Sequence, residues 1–230
     1  MRKAQLSRQA MCDRLAMEFE DGWVVNLGAG IPQLCSNFDF GDKTILFHSE
    51  NGVIGYGPEP APGEEDLQLV DAGLRHTTLV RGAAIVDHAD SFALIRAGYV
   101  SATVLGAYQV AESGDFANWK LPGRRGGGIG GAMDLAIGAQ RVFIAMEHTG
   151  RQGELRLRTR CTLPITARGV VKLIVTNLGL FEVTQAGLLM REIAPSYTPE
   201  EVQALTEATL IVPPDLRPFR FDERREEAER

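Results

Sequence analysis

Apolar positions along this chain switch repeatedly between helical and strand-like spacing, and the alternation predicts a sheet whose strands are separated by helices. Leu6, Ala10, Met11, Leu15 and Phe19 recur at helical spacing and predict an amphipathic helix over residues 6–19, closed by Asp21-Gly22. Trp23-Val24-Val25-Asn26-Leu27 reads as a buried strand ending at Gly28-Ala29-Gly30. Ile31-Pro32 then opens a second helix, with proline in the first turn, where its missing N–H does no harm. The next strand, Thr44-Ile45-Leu46-Phe47, precedes a stiff surface loop over residues 55–63, where Pro58, Pro60 and Pro62 cannot join a ladder. Further strands are predicted over residues 79–86, 102–105, 141–146, 170–176, 178–183 and 188–193, with short helices over 90–97 and 131–139. Thr198-Pro199-Glu200-Glu201 is a helix start with the capping-box pattern. Residues 222–230 are nearly all charged and are expected to form a frayed or disordered tail. No repeat or break in composition divides the rest, so the expectation is one α/β domain over residues 1–221, with a mainly parallel sheet flanked by helices.

Composition narrows the class without choosing a function. At 230 residues the chain is long enough for one large α/β domain that buries roughly 70 % of its unfolded surface. Its net charge of −6 and pI near 5.3 argue against nucleic acid, which calls for a basic stripe. Cys12, Cys35 and Cys161 are odd in number, far apart and without a C-x-x-C pair, as reduced cytosolic thiols would be. No apolar run reaches the ~18 residues of a membrane span, and no apolar segment follows the N-terminal basic residues. A cytoplasmic protein with no membrane partner is expected.

Glu50 is the first candidate for chemistry. It follows an apolar strand and enters an Asn51-Gly52 turn, with Gly55 and Gly57 nearby. Alone, such a pattern describes a solvated turn; at a strand end it lies where a doubly wound sheet opens its ligand crevice. The second candidate is the glycine run 126–131, which contains G-x-G-x-x-G. The preceding residues 119–125 include Pro122 and two arginines rather than a strand, which argues against a dinucleotide fingerprint. Gly28-Ala29-Gly30 does follow a strand but has Gln33 where the third glycine belongs. The 126–131 run is either a plain hinge or a loop offering bare N–H groups to an oxyanion or phosphate at a helix start. His48-x-Glu50 lacks the Pro-Cys-x-x-Cys of a zinc deaminase, and His48, His76, His88 and His148 show no paired spacing, so no metal site is expected. Cys161 has no local base and reads as a structural thiol.

Ser49-Glu50-Asn51-Gly52 resembles the signature of the class I coenzyme A (CoA) transferases, specifically their B subunits. The likeness continues in order along the chain. Asn26–Pro32 resembles the N-terminal block of those subunits, Gly114–Trp119 the stretch before the glycine loop, and Gly128–Leu135 with 139–142 and 146–149 the second signature block. Cys161-Thr162-Leu163-Pro164-Ile165-Thr166 resembles a further block, so the match spans about residues 5 to 212. Ala29 departs from it, standing where the family usually carries a bulkier residue.

The resemblance implies a CoA-transferase fold of the sugar-phosphate-isomerase-like type, with Glu50 as nucleophile. It implies Gly30, Asn51, Gly52, Gly130 and Gly131 at the oxyanion or CoA. It further implies ping-pong transfer from an acyl-CoA, such as succinyl-CoA, to a 3-oxoacid through a glutamyl-CoA thioester. Coenzyme A is then a substrate, and no metal or redox cofactor is required. The partner implied is a separate A subunit in an α2β2-type assembly. Residues 188–195 and 205–208 look more like the 3-oxoadipate enzymes than the acetoacetate ones. A dicarboxylate substrate needs a cation, for which Arg124, Arg125 and Arg151 are available. Two other readings remain open on the residues alone: a phosphate-binding isomerase or sensor module, and a non-catalytic subunit.

Overall fold

The computed structural model describes residues 3–123 and 128–222 and opens with helix α1 (Arg8–Ala16). Ser7 caps α1, its hydroxyl accepting the Ala10 N–H at 3.1 Å, so the helix is shorter at both ends than its apolar periodicity predicts. Strand β1 (Val24–Leu27) follows, and then a 3-10 segment, Ile31–Asn37, where an α-helix is predicted. Pro32 supplies no N–H there, and the segment closes on a tight bond from the Phe38 N–H to the Cys35 carbonyl at 3.3 Å.

Strands β2 (Leu46–Ser49) and β3 (Val53–Tyr56) make a hairpin across Asn51-Gly52, with Ser49 opposite Val53. The loop predicted from residue 55 therefore begins only after Tyr56. Gly52, at φ +114°, reverses the chain at once, and the three prolines lie beyond the ladder. Strand β4 (Leu79–Ile85) pairs antiparallel with β3 and is an edge of the sheet.

Helix α2 (His88–Arg96), capped by Asp87, leads to β5 (Ala102–Leu105) and the short strands β6 (Gln109–Ala111) and β7 (Phe116–Ala117). Helix α3 (Ala132–Gly138) precedes β8 (Val142–Ala145), and β9 (Leu157–Arg158) is again short. The chain then runs through β10 (Val171–Thr176), β11 (Gly179–Thr184) and β12 (Gly187–Ile193). Helix α4 (Pro199–Ala204), β13 (Leu210–Ile211) and β14 (Arg217–Pro218) finish it. Thr198 and Glu201 make the predicted capping box, with the Glu201 carboxylate accepting the Thr198 N–H at 2.9 Å. The tail expected over 222–230 lies, from residue 223 on, outside the described residues.

The main sheet has the order β13-β12-β11-β10-β8-β5-β1-β2-β3-β4, with β14 also on β12. Its middle, β10-β8-β5-β1-β2, is parallel throughout, while β11, β12, β3 and β4 add antiparallel pairs on either side. Consecutive residues of the central strands go to opposite faces. Phe143 and Ala145 of β8 join one core cluster with α1, while Val142 and Ile144 join the other with Ile95 of α2 and Leu135 of α3. Burial on both faces explains why these strands read as unbroken apolar runs. A second, three-stranded sheet, β7-β6-β9, was not legible in the sequence, because its strands are only two or three residues long. Among the described residues no helix is long and apolar enough to cross a membrane.

Candidate active site

From β1 the chain passes to β2 on one side and later to β5 and β8 on the other, so the strand order reverses at β1. A parallel sheet opens a crevice beyond its carboxyl ends at such a reversal. A cavity of about 380 Å³ fills this position. Glu50 lines it from the end of β2, Gly28 and Ala29 from the end of β1, Gly106 and Ala107 from the end of β5, and Met146 from the end of β8. Ile129, Gly130 and Gly131 line it from the approach to α3. The volume suits part of a small organic substrate.

Glu50 is half-buried, and its carboxylate is held from beneath. The Asn26 amide of β1 donates to Glu50 Oε2 at 3.2 Å and to the His48 carbonyl at 3.1 Å. Asn26 is itself oriented by the Thr103 hydroxyl of β5, which donates to its Oδ1 at 3.2 Å. Asn26 Nδ2 also lies 3.2 Å from His48 Nδ1, and the Ser91 hydroxyl of α2 lies 3.0 Å from His48 Nε2. Burial pushes the His48 pKa down to about 4, so the ring is neutral near pH 7. An unprotonated Nδ1, which shares the two Asn26 N–H groups with Glu50 and the His48 carbonyl, and an Nε2–H that donates to Ser91 fit these partners. A neutral, fully buried network thus orients the carboxylate without adding charge to it.

Glu50 Oε1 faces the glycine loop. A Cβ on Gly131 would lie 3.1 Å from Phe92 Cζ, a tight contact, and 3.4 Å from Oε1, an ordinary one, so the missing side chain lets the loop pass Phe92 and leaves its backbone beside the carboxylate. Gly130, at φ +52°, turns the chain into α3 with open space around it.

The other glycines and the asparagine expected at the site lie elsewhere. Gly30, at φ +90°, gives its N–H to Gln33 Oε1 at 2.7 Å and does not line the cavity, although Ala29 and Ile31 do. The Asn51 amide donates to the Val70 carbonyl at 2.8 Å, tying the hairpin to the following loop. Gly52 is packed against the Val86 carbonyl at its turn. All three shape the backbone around Glu50, and none of them lines this cavity.

Of the expected cations, Arg124 and Arg125 lie outside the described residues, and Arg151 is exposed and does not line the cavity. Among the described residues, the arginine that lines it is Arg156, with Tyr108 and Asn118. Sequence reasoning missed these three because each adjoins one of the short strands of the second sheet. Cys161 packs 3.6 Å from the Asp115 carbonyl, and burial pushes its pKa up to about 11, leaving an unreactive thiol. His148, also pushed to about 4 by burial, sits between the Thr176 and Thr206 hydroxyls at 2.9 Å each. Among the described residues no three His, Cys, Asp or Glu side chains gather as a metal site would require.

A carboxylate at the carboxyl ends of a parallel sheet, facing a glycine-rich helix start, marks an α/β enzyme site. The model of the coenzyme A transferase family matches residues 8–205, and the chain belongs to that family. It is 46% identical over 209 residues to the B subunit of the 3-oxoadipate CoA-transferase of Pseudomonas putida, covering 90% of this chain and 97% of that one. It is 40% identical over 205 residues to the B subunit of the succinyl-CoA:3-ketoacid coenzyme A transferase of Helicobacter pylori, covering 89% and 99%. The human mitochondrial succinyl-CoA:3-ketoacid coenzyme A transferase 2 is 39% identical over 219 residues; 94% of this chain there matches only 42% of the longer enzyme.

Among solved structures, the acyl-CoA transferase YdiF of Escherichia coli O157:H7 superimposes with a TM-score of 0.73 at 19% identity, over 95% of this chain and 44% of that one. Glutaconate coenzyme A-transferase of Acidaminococcus fermentans gives 0.70 at 18%, over 96% and 92%. The decarboxylase AibA/AibB gives 0.71 at 18% identity, over 96% and 91%, so the fold alone does not select the reaction.

Proposed function

We propose that this chain is the catalytic B subunit of a heteromeric 3-oxoacid CoA-transferase, moving CoA from succinyl-CoA to a 3-oxoacid through a thioester on Glu50. The observation that carries the reading is the half-buried Glu50 carboxylate, one oxygen held by Asn26 and the other open to the cavity and the Gly130-Gly131 backbone. The relatives named as B subunits support a separate A subunit, in an α2β2-type assembly that completes the CoA site.

Glu50 Oε1 attacks the thioester carbonyl; the C–S bond breaks, giving a mixed anhydride and CoA thiolate. The thiolate attacks the Glu50 acyl carbon, the anhydride C–O bond breaks, and succinate leaves behind a glutamyl-CoA thioester. The 3-oxoacid carboxylate attacks that thioester and expels the thiolate. The thiolate then attacks the acceptor's acyl carbon, and the Glu50 carboxylate is released. Atoms, charge and oxidation states balance without a metal or redox cofactor. Covalent catalysis divides one difficult exchange into such steps.

A carboxylate is a weak nucleophile, so positioning carries the rate; well-held groups reach effective molarities of about 10⁵–10⁸ M. The Asn26–His48–Ser91 network supplies that positioning. Each step passes through a tetrahedral oxyanion, for which the Gly130 and Gly131 N–H groups are the assigned donors. One such donor is worth on the order of 10²–10³ in rate.

Steady-state kinetics on the complex with its A subunit test the reading. Parallel double-reciprocal lines, with borohydride inactivation only in the presence of acyl-CoA, are expected. Intersecting lines with no acyl-CoA-dependent inactivation would rule out the covalent route.

A further inference from the structure

The three polar side chains that face Glu50's cavity from the second sheet form a group of their own. Tyr108 directly precedes β6, Asn118 directly follows β7, and Arg156 directly precedes β9. The small sheet brings these positions together. The Tyr108 N–H donates to the Ala117 carbonyl at 2.8 Å, and the Val110 N–H donates to the Arg156 carbonyl at 2.9 Å.

The available groups at this end of the cavity are hydrogen-bond donors. The Thr166 hydroxyl accepts the Asn118 backbone N–H at 3.0 Å and donates to Asn118 Oδ1 at 2.8 Å. That fixes the amide with its oxygen occupied and, among the described residues, no acceptor for its NH₂. The Arg156 guanidinium touches the Glu147 carbonyl at 3.4 Å and makes no ion pair among the described residues. The nearby acids are engaged elsewhere: Glu147 pairs with Arg8 at 2.8 Å, and Glu154 accepts the Gln152 N–H at 3.0 Å. Burial works against the Arg156 charge and lowers its pKa, and the nearby Glu147 and Glu154 offset that only in part.

The span is set by the strands. Asn26 holds the Glu50 carboxylate over β1, and the Glu147 carbonyl holds Arg156 just past β8, with β5 between them. Two strand spacings amount to about 10 Å. At about 1.5 Å per C–C bond plus a contact of about 2.8 Å at the charged end, a six-carbon diacid reaches about 10 Å and fills this span, while a four-carbon one reaches about 7 Å and needs the Arg156 side chain to lean toward it.

Resting on the transferase reading above, we propose that Arg156 and Asn118 bind the distal carboxylate of the acyl group, so that the site selects dicarboxylic donors and acceptors over monocarboxylic ones. In a ping-pong exchange the two acids occupy this pocket in turn, and one cation serves both. Ala29, which brings only a methyl group to the cavity wall, leaves room for the chain between the two ends.

The test measures glutamyl-CoA formation in the complex with the A subunit, comparing kcat/KM for succinyl-CoA and butyryl-CoA, which has a methyl in place of the carboxylate. The native complex is expected to prefer succinyl-CoA. Arg156→Gln is expected to reduce that preference by about 10- to 100-fold, the range of one charged hydrogen bond. Arg156→Lys should recover part of it. Asn118→Asp, nearly the same shape, should reduce it further by setting like charges together. Equal losses for both thioesters would assign Arg156 to CoA or to the scaffold and overturn the proposal, as would an unchanged preference in Arg156→Gln and Asn118→Asp. If neither thioester labels Glu50 in the native complex, the transferase reading itself fails and takes this one with it. Labelling with unaltered discrimination sinks only the present proposal.

Discussion

Asn26 on β1 donates to Glu50 at the end of β2 across 3.2 Å, so two adjacent parallel strands set the position of the carboxylate. Asn26→Ala removes this donor from Glu50 and from the His48 carbonyl, and leaves the Thr103 hydroxyl without its acceptor. The expected effect is a 10- to 100-fold lower rate of thioester formation, with a stability loss of about 1–3 kcal/mol. Pre-steady-state acylation and urea unfolding of the same variant check the two parts. A stability loss with full acylation would make Asn26 a structural residue only.

Gly131 and Gly130 separate steric from backbone effects. Gly131 has an ordinary φ of −81°, so Gly131→Ala strains no backbone, but its methyl presses on Phe92 and lies in contact with Glu50 Oε1, on the side from which the substrate carbonyl must approach. Acylation should fall at least 10-fold with little change in melting temperature. Gly130→Ala meets open space at φ +52° and should cost about 1–2 kcal/mol of stability through backbone strain alone. Thermal unfolding and acylation rates of the pair test this division.

Arg14 and Glu192 tie α1 to β12 through a buried ion pair, with Arg14 Nη2 2.7 Å from the carboxylate and the side chains 4% and 7% exposed. Glu192→Leu leaves the buried Arg14 with Glu18, 2.7 Å from Nη1, as its remaining partner and should destabilise by up to about 3 kcal/mol. The double variant Arg14→Met/Glu192→Leu should recover most of the loss. Urea midpoints of the single and double variants measure it.

His48 and His148 are both held near pKa 4 in the folded chain, below the unfolded value of about 6.5. The unfolded state therefore takes up protons first as pH falls. Their stabilising contribution is complete above pH 6.5 and declines between 6.5 and 4, by on the order of 3 kcal/mol for each histidine. His148→Gln should flatten that part of the stability–pH curve. Urea unfolding at pH 7 and pH 5 shows whether it does.

Much of this site was legible because its residues sit at the ends of strongly apolar strands. Strand β2 and the Asn51-Gly52 turn mark Glu50, and the glycine run points to Gly130 and Gly131. Strands buried on both faces, such as β8 and β10, announce themselves as apolar runs. The hairpin partner β3 was hidden because Gly55 and Gly57 resemble loop composition, although Gly52 had already reversed the chain. Arg156 and Asn118 were hidden for a different reason. Strands of two or three residues carry no period, and only their pairing brings these side chains to the cavity. Asn26 lay in plain view within a predicted strand; a buried polar residue one strand from the catalytic candidate was the signal to read.

The most direct test of the central claim is intact and peptide mass spectrometry of the chain, co-expressed with its A subunit and incubated with succinyl-CoA. The account predicts a CoA-sized adduct on the peptide containing Glu50, absent from Glu50→Ala. A complex that binds CoA yet forms no adduct, or one whose adduct persists in Glu50→Ala, would contradict it.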